Sequence, residues 1–129
     1  MNTSFAAALA CLAISAAPAL AGGCPANAPK MGWNIQSGDQ RVSGDYLQNL
    51  LTGKKVKYGS EGTEVYKTDG SYAYLAGGKS YAAPAFRFYA NGTRCIDYSS
   101  PRFDLYVVRD KKLVLLNAQG NRLAGQVTK

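Results

Sequence analysis

Residues 86–97 read Phe86-Arg87-Phe88-Tyr89-Ala90-Asn91-Gly92-Thr93-Arg94-Cys95-Ile96-Asp97, and this stretch decides the fold. Phe86 and Phe88 alternate with Arg87 and Tyr89, and Arg94 and Ile96 alternate with Cys95 and Asp97. That period of two belongs to strands whose successive side chains point to opposite faces. Between the runs stands Asn91-Gly92, which tolerates positive φ at both positions and predicts a type I′ hairpin turn. The unit is strand, tight turn, strand.

The same pattern extends in both directions. Phe103, Leu105 and Val107 alternate with Asp104, Tyr106 and Val108, and turn signals recur at Asp69-Gly70, Gly77-Gly78, Asp110-Lys111 and Asn117 to Asn121. Leu113 to Leu116 is apolar on both faces, which predicts a strand held between the core and a further layer. Upstream there is a single helical signature. Ser43 is placed as N-cap, Asp45 lies in the first turn, Tyr46, Leu47, Leu50 and Leu51 share an apolar face, and Gly53 is the stop. A helix this short is not stable alone, so its leucine face must cover a sheet. The expected fold is mostly β (α+β): a short N-terminal helix packed on an antiparallel meander sheet or half-open barrel of roughly six to eight strands.

The N-terminal segment reads differently. Phe5 to Ala21 is small and apolar, is interrupted by Pro18, and ends in Ala19-Leu20-Ala21, an A-x-A cleavage pattern. We read residues 1–21 as a signal peptide, 22–42 as an N-terminal linker and 43–129 as a single β-rich domain. The expected location is periplasmic or secreted. Removal of the leader takes Cys11 with it and leaves Cys24 and Cys95, the number needed for one disulfide. Joining them would close a loop of about 71 residues and stabilise the fold by about 4 kcal/mol. The competing reading is lipidation of Cys24, because Ala21-Gly22-Gly23-Cys24 has the outline of a lipoprotein processing box; membrane anchoring follows only in that case.

The whole chain has 129 residues, 15 Lys+Arg, 8 Asp+Glu and no histidine. The missing imidazole excludes Ser-His-Asp and Cys-His catalysis and every His-ligated metal or haem site. No cofactor and no metal site is expected. Lys54, Lys55 and Lys57 form one basic cluster, and Arg109, Lys111 and Lys112 form another at a predicted turn. Should the two meet in space, they would make a patch attractive to anions, with strong salt dependence.

Several motifs dissolve on inspection. Ala73 to Ser80 fits a relaxed phosphate-loop pattern, but Tyr81-Ala82-Ala83-Pro84 reads as extended chain rather than a helix start, so no nucleotide is expected. Glu61 and Glu64, at odd spacing on a strand, point to opposite faces and cannot act as a carboxylate pair. Ala85 to Tyr89 lacks the glycines of an RNA-binding sheet motif, and export argues against nucleic acid. What persists is an interleaving of aromatic and basic residues, including Tyr72, Tyr74, Tyr81, Arg87, Tyr89, Arg94, Tyr98, Arg102 and Tyr106. Facing outward from a curved sheet, they would stack on rings and pair with anions.

The order of Leu51 to Lys54, Tyr66-x-x-Asp69-Gly70, Gly77 to Tyr81, Asn91-Gly92-x-x-Cys95, Val108-Arg109-Asp110 and Leu115 to Gly120 resembles small exported proteobacterial domains of unknown function. Phe88 stands where that pattern has tryptophan, and Phe103 where it has a second nearby cysteine, which points to Cys24 as the partner of Cys95. The resemblance implies location and fold rather than chemistry.

The expected function is non-catalytic binding of an anionic envelope polymer or component, or of a protein partner, through Lys55, Lys57, Arg87, Tyr89 and Arg94. Two alternatives stand beside it. One is a small histidine-free hydrolase with Asp97 or Asp104 as base, which requires a carboxylate in a cleft with a raised pKa. The other is an inhibitor of a foreign hydrolase, inserting Ser99-Ser100-Pro101-Arg102 into an active site.

Overall fold

A computed structural model describes residues 23–129; the predicted signal peptide and Cys11 lie outside them. The described chain forms a short strand β1 (Gln40–Arg41), one helix α1 (Gly44–Leu51), and strands β2 (Lys55–Tyr58), β3 (Gly62–Tyr66), β4 (Tyr72–Ala76), β5 (Lys79–Ala83), β6 (Phe86–Phe88), β7 (Thr93–Ile96), β8 (Arg102–Arg109), β9 (Lys112–Leu116) and β10 (Arg122–Thr128).

Every pairing is antiparallel. Nine strands form one path, β5-β4-β3-β2-β10-β9-β8-β7-β6, nearly closed into a barrel, and β1 pairs with the far end of β8. The architecture is the expected helix on an antiparallel meander. The strand number, ten, exceeds the count from turn signals; the two-residue β1 is too short to show a period. The end strands β5 and β6 are joined through Pro84-Ala85, and the Tyr98 hydroxyl bridges their seam by donating to the Tyr81 carbonyl at 3.3 Å.

The turn residues explain the register. At the β8–β9 turn, Asp110 and Lys111 have φ of 50° and 66°, the paired left-handed geometry of a two-residue hairpin. At Asn91-Gly92 the turn differs from the type I′ expectation. Among these two only Gly92 has positive φ, and its N–H donates to the Tyr89 carbonyl at 3.0 Å. The Asn91 side chain instead accepts from the Thr93 N–H at 3.0 Å, so it caps the turn from outside.

Helix α1 begins where Ser43 Oγ accepts the Tyr46 N–H at 3.0 Å, and it stops before Gly53 at φ 79°. It drives Leu47 and Leu51, both fully buried, into the barrel core with Val56, Ile96, Leu113 and Leu115. Each such leucine stabilises the fold by roughly 1.5–3 kcal/mol. A second, smaller core lies on the outer side of the sheet, where Leu105, Val107, Val114 and Leu116 meet Trp33. The strand Leu113 to Leu116 is therefore apolar on both faces because both are covered.

Cys24 is bonded to Cys95, with Cα atoms 5.9 Å apart. The bond leaves Cys24 no thiol for a lipid. It also fixes the irregular segment before β1, which Tyr89 and Arg87 hold by donating to the carbonyls of Pro25 at 2.7 Å and Ala26 at 3.0 Å. Further along, Asp39 accepts from Arg122 at 2.7 and 2.8 Å and from Arg109 at 3.3 Å. A disulfide of this kind is compatible with a compartment outside the cytosol. Among the described residues no helix is long and apolar enough to cross a membrane.

Candidate functional site

Two clusters of polar side chains stand out, one buried and one open. The buried one occupies the barrel interior. Glu64 on β3, Arg94 on β7 and Asp104 on β8 are each no more than 2 % exposed. Register places Arg94 directly opposite Asp104, and the barrel's curvature brings Glu64 to the other side of the guanidinium. Arg94 donates to both carboxylates. Glu64 also accepts from the hydroxyls of Tyr58 and Tyr106, from Tyr72 at 2.5 Å and from Tyr66 at 3.2 Å. Arg102 closes the outer side by donating to Asp104 at 2.9 and 3.1 Å.

The electrostatics follow from this geometry. Burial opposes the Arg94 charge, but the Glu64 and Asp104 carboxylates outweigh it and hold its pKa well above the ordinary arginine value. For Asp104, burial pushes the pKa up while Arg94 and Arg102 pull harder, leaving it below the ordinary carboxylate value. Tyr58, Tyr66, Tyr72 and Tyr106 are all raised above the usual phenol value, chiefly by burial. This arrangement holds charges in place rather than moving protons. Asp104 is clamped between two cations and lacks the raised pKa a general base requires. Asp97 accepts the Gly23 N–H at 2.5 Å, so it fastens the N-terminal segment.

The open cluster lies where β10 changes neighbours. It pairs with β9 through Arg122–Gly125 and with β2 through Gln126–Thr128. At that crossover the β8–β9 turn and the end of β2 diverge from it, leaving a groove of about 820 Å³. Gly125 permits the crossing, since a Cβ there would lie 2.5 Å from Val56 Cγ1 and 2.9 Å from Tyr58 Cε1. Lys57, Lys111 and Lys112 line the groove together with apolar Leu50, Val108, Leu113 and Val127, with Tyr46 of α1 at one side. No carboxylate lines it. One member of the first basic sequence cluster, Lys57, thus meets two of the second, Lys111 and Lys112. Arg109 is instead drawn off to Asp39.

The five sequence-selected binding residues do not form one site. Lys55 and Lys57 lie exposed on the outer face of β2, and Lys57 alone reaches the groove. Arg87 stacks over the Tyr89 ring at 5.1 Å, and both are tied to the N-terminal segment. Arg94 is buried within the ion network and offers no surface to a partner. The outward Tyr/Arg face is likewise not what forms, because Tyr72, Arg94 and Tyr106 point inward. An inward guanidinium is tolerated since two carboxylates meet it. Sequence reasoning missed Glu64 as Arg94's partner; the signal was a charge two residues from a tyrosine on the same strand face, in Glu64-x-Tyr66 and Asp104-x-Tyr106 alike.

Comparison of the chain with protein-family models, with curated proteins and with solved structures returned no match.

Proposed function

We propose that the protein is a non-catalytic binding domain of the periplasm or exterior that takes up an anionic envelope component at the lysine groove. The observation that carries this reading is the division of cations. Among the described residues every ion pair uses an arginine, namely Arg94, Arg102, Arg109 or Arg122. The lysines of the groove have no carboxylate partner within it. Arginine's planar fork suits fixed pairs, whereas lysine presents a mobile point charge to an external anion. A concave site of this size with a few convergent cations falls in the range of small-ligand pockets.

The test is binding of short-chain polyphosphate, an anion without apolar groups, by calorimetry at low and physiological salt. The Lys57→Ala/Lys111→Ala/Lys112→Ala variant should bind at least tenfold more weakly and lose most of the salt dependence. Equal binding by the wild type and this variant would refute the site.

A further inference from the structure

We infer that the groove's ligand is an anionic amphiphile, the acyl chain and charged head of a lipid, with the chain on the apolar floor and the head on the lysines. This rests on the reading of the groove as an anion site and names the class of molecule it takes. The groove is divided chemically. Lys111 belongs to the hairpin turn, Lys112 opens β9 and Lys57 lies on β2, so the positive charges stand on or beside the two strands that flank β10. Leu50, Val108 and Val127 are half-buried side chains that pack against the barrel core yet still line the groove, and Leu113 forms its buried base.

A bare polyanion would satisfy the lysines and leave that floor against water. A neutral hydrocarbon would cover the floor and leave the lysines unpaired. Only a molecule with both parts uses the whole site. Tyr46 supports this assignment. It is 46 % exposed, sits one helical turn before Leu50, and presents a ring with a polar tip beside the groove, the placement amphipathic rings take at a boundary between apolar and wet surroundings. The volume of about 820 Å³ accommodates one chain and head rather than a bilayer patch.

The experiment compares methyl, butyl, octyl and dodecyl phosphate, each as free monomer, on the unmodified protein, with polyphosphate measured in parallel. Affinity should rise about two- to fourfold for each methylene that reaches the floor and then level off. In Leu50→Gln the gain with chain length should shrink; the chain-length series needs no variant, so a folding defect in Leu50→Gln does not obscure the result. If polyphosphate binds in a lysine-dependent way and dodecyl phosphate binds no tighter than methyl phosphate, the amphiphile assignment is overturned and the anion site stands. If neither polyphosphate nor any alkyl phosphate binds, both are overturned. If dodecyl phosphate binds equally well after the three lysines are replaced, the head-group part of the assignment fails.

Discussion

Replacing Arg94 by methionine keeps an unbranched side chain in the barrel and removes the charge. The consequence is unequal for its two partners. Asp104 retains Arg102, whose Nε and Nη2 donate to it at 2.9 and 3.1 Å. Glu64 retains only hydroxyl donors, from Tyr58, Tyr66, Tyr72 and Tyr106, which supply hydrogen bonds but no positive charge. A carboxylate 2 % exposed is left without a cation. Breaking a buried pair in this way costs about 3–5 kcal/mol, a large part of the roughly 5–15 kcal/mol that holds a domain together. Adding Glu64→Gln removes the stranded charge, so Arg94→Met/Glu64→Gln should be more stable than Arg94→Met alone. Urea unfolding at neutral pH, followed by circular dichroism and by the fluorescence of Trp33, the single tryptophan, measures all four corners of the cycle. A loss below about 1 kcal/mol in Arg94→Met, or a double variant less stable than that single one, would refute the view that Glu64 depends on the Arg94 charge.

The pH dependence should fall off at both ends. Asp39, held low chiefly by its hydrogen bonds from Arg122, and Asp104, whose arginines overcome burial, both titrate lower folded than unfolded; their contribution is present above about pH 4 and lost as the pH falls further, and Asp39→Asn should flatten the acid limb in thermal melts. Buried Tyr58, Tyr66, Tyr72 and Tyr106 titrate higher folded than unfolded, so their contribution is full below about pH 10 and lost above it; phenolate absorbance from these rings should appear only together with unfolding. Cys24→Ser opens the 71-residue loop and should lower stability by about 2–4 kcal/mol in urea titrations, while leaving polyphosphate binding at the distant lysine groove unchanged.

Much of the fold was legible because it is written in local chemistry. The period of two around Phe86–Phe88, the paired positive φ of Asp110-Lys111 and the Ser43 cap each act within a few residues. The doubly apolar Leu113–Leu116 announced a covered strand for the same reason, although Trp33 as its outer cover lies too far upstream for any local pattern to name it. The candidate site was harder to read. That Lys57 would meet Lys111 and Lys112 depends on β10 passing from β9 to β2 at Gly125, and no periodicity encodes which strand closes a meander. Arg94 is the clearest case. Its sequence neighbours made it resemble a surface cation, and only the closure of the barrel places Glu64, thirty positions away, against it.

The two polar clusters differ in what they can exchange with the surroundings, and this is why we propose binding rather than catalysis. In the interior cluster each charge has its counter-charge, and the phenols are held neutral by burial. Proton transfer there would have to break contacts that join β3, β7 and β8 across the barrel interior, so rigidity is what the cluster supplies. The groove has the opposite character: its cations are lysines, its lining includes no acid or imidazole, and its floor is apolar. Such a surface can hold a charge and exclude water but has no base to accept a proton and no activated nucleophile. A stiff barrel with a cationic, partly apolar groove beside a short helix supports the proposal that a ligand is retained there unchanged. Finding that any bound phosphate ester is hydrolysed at the groove would contradict this, because the lining residues contain nothing to activate the attacking water.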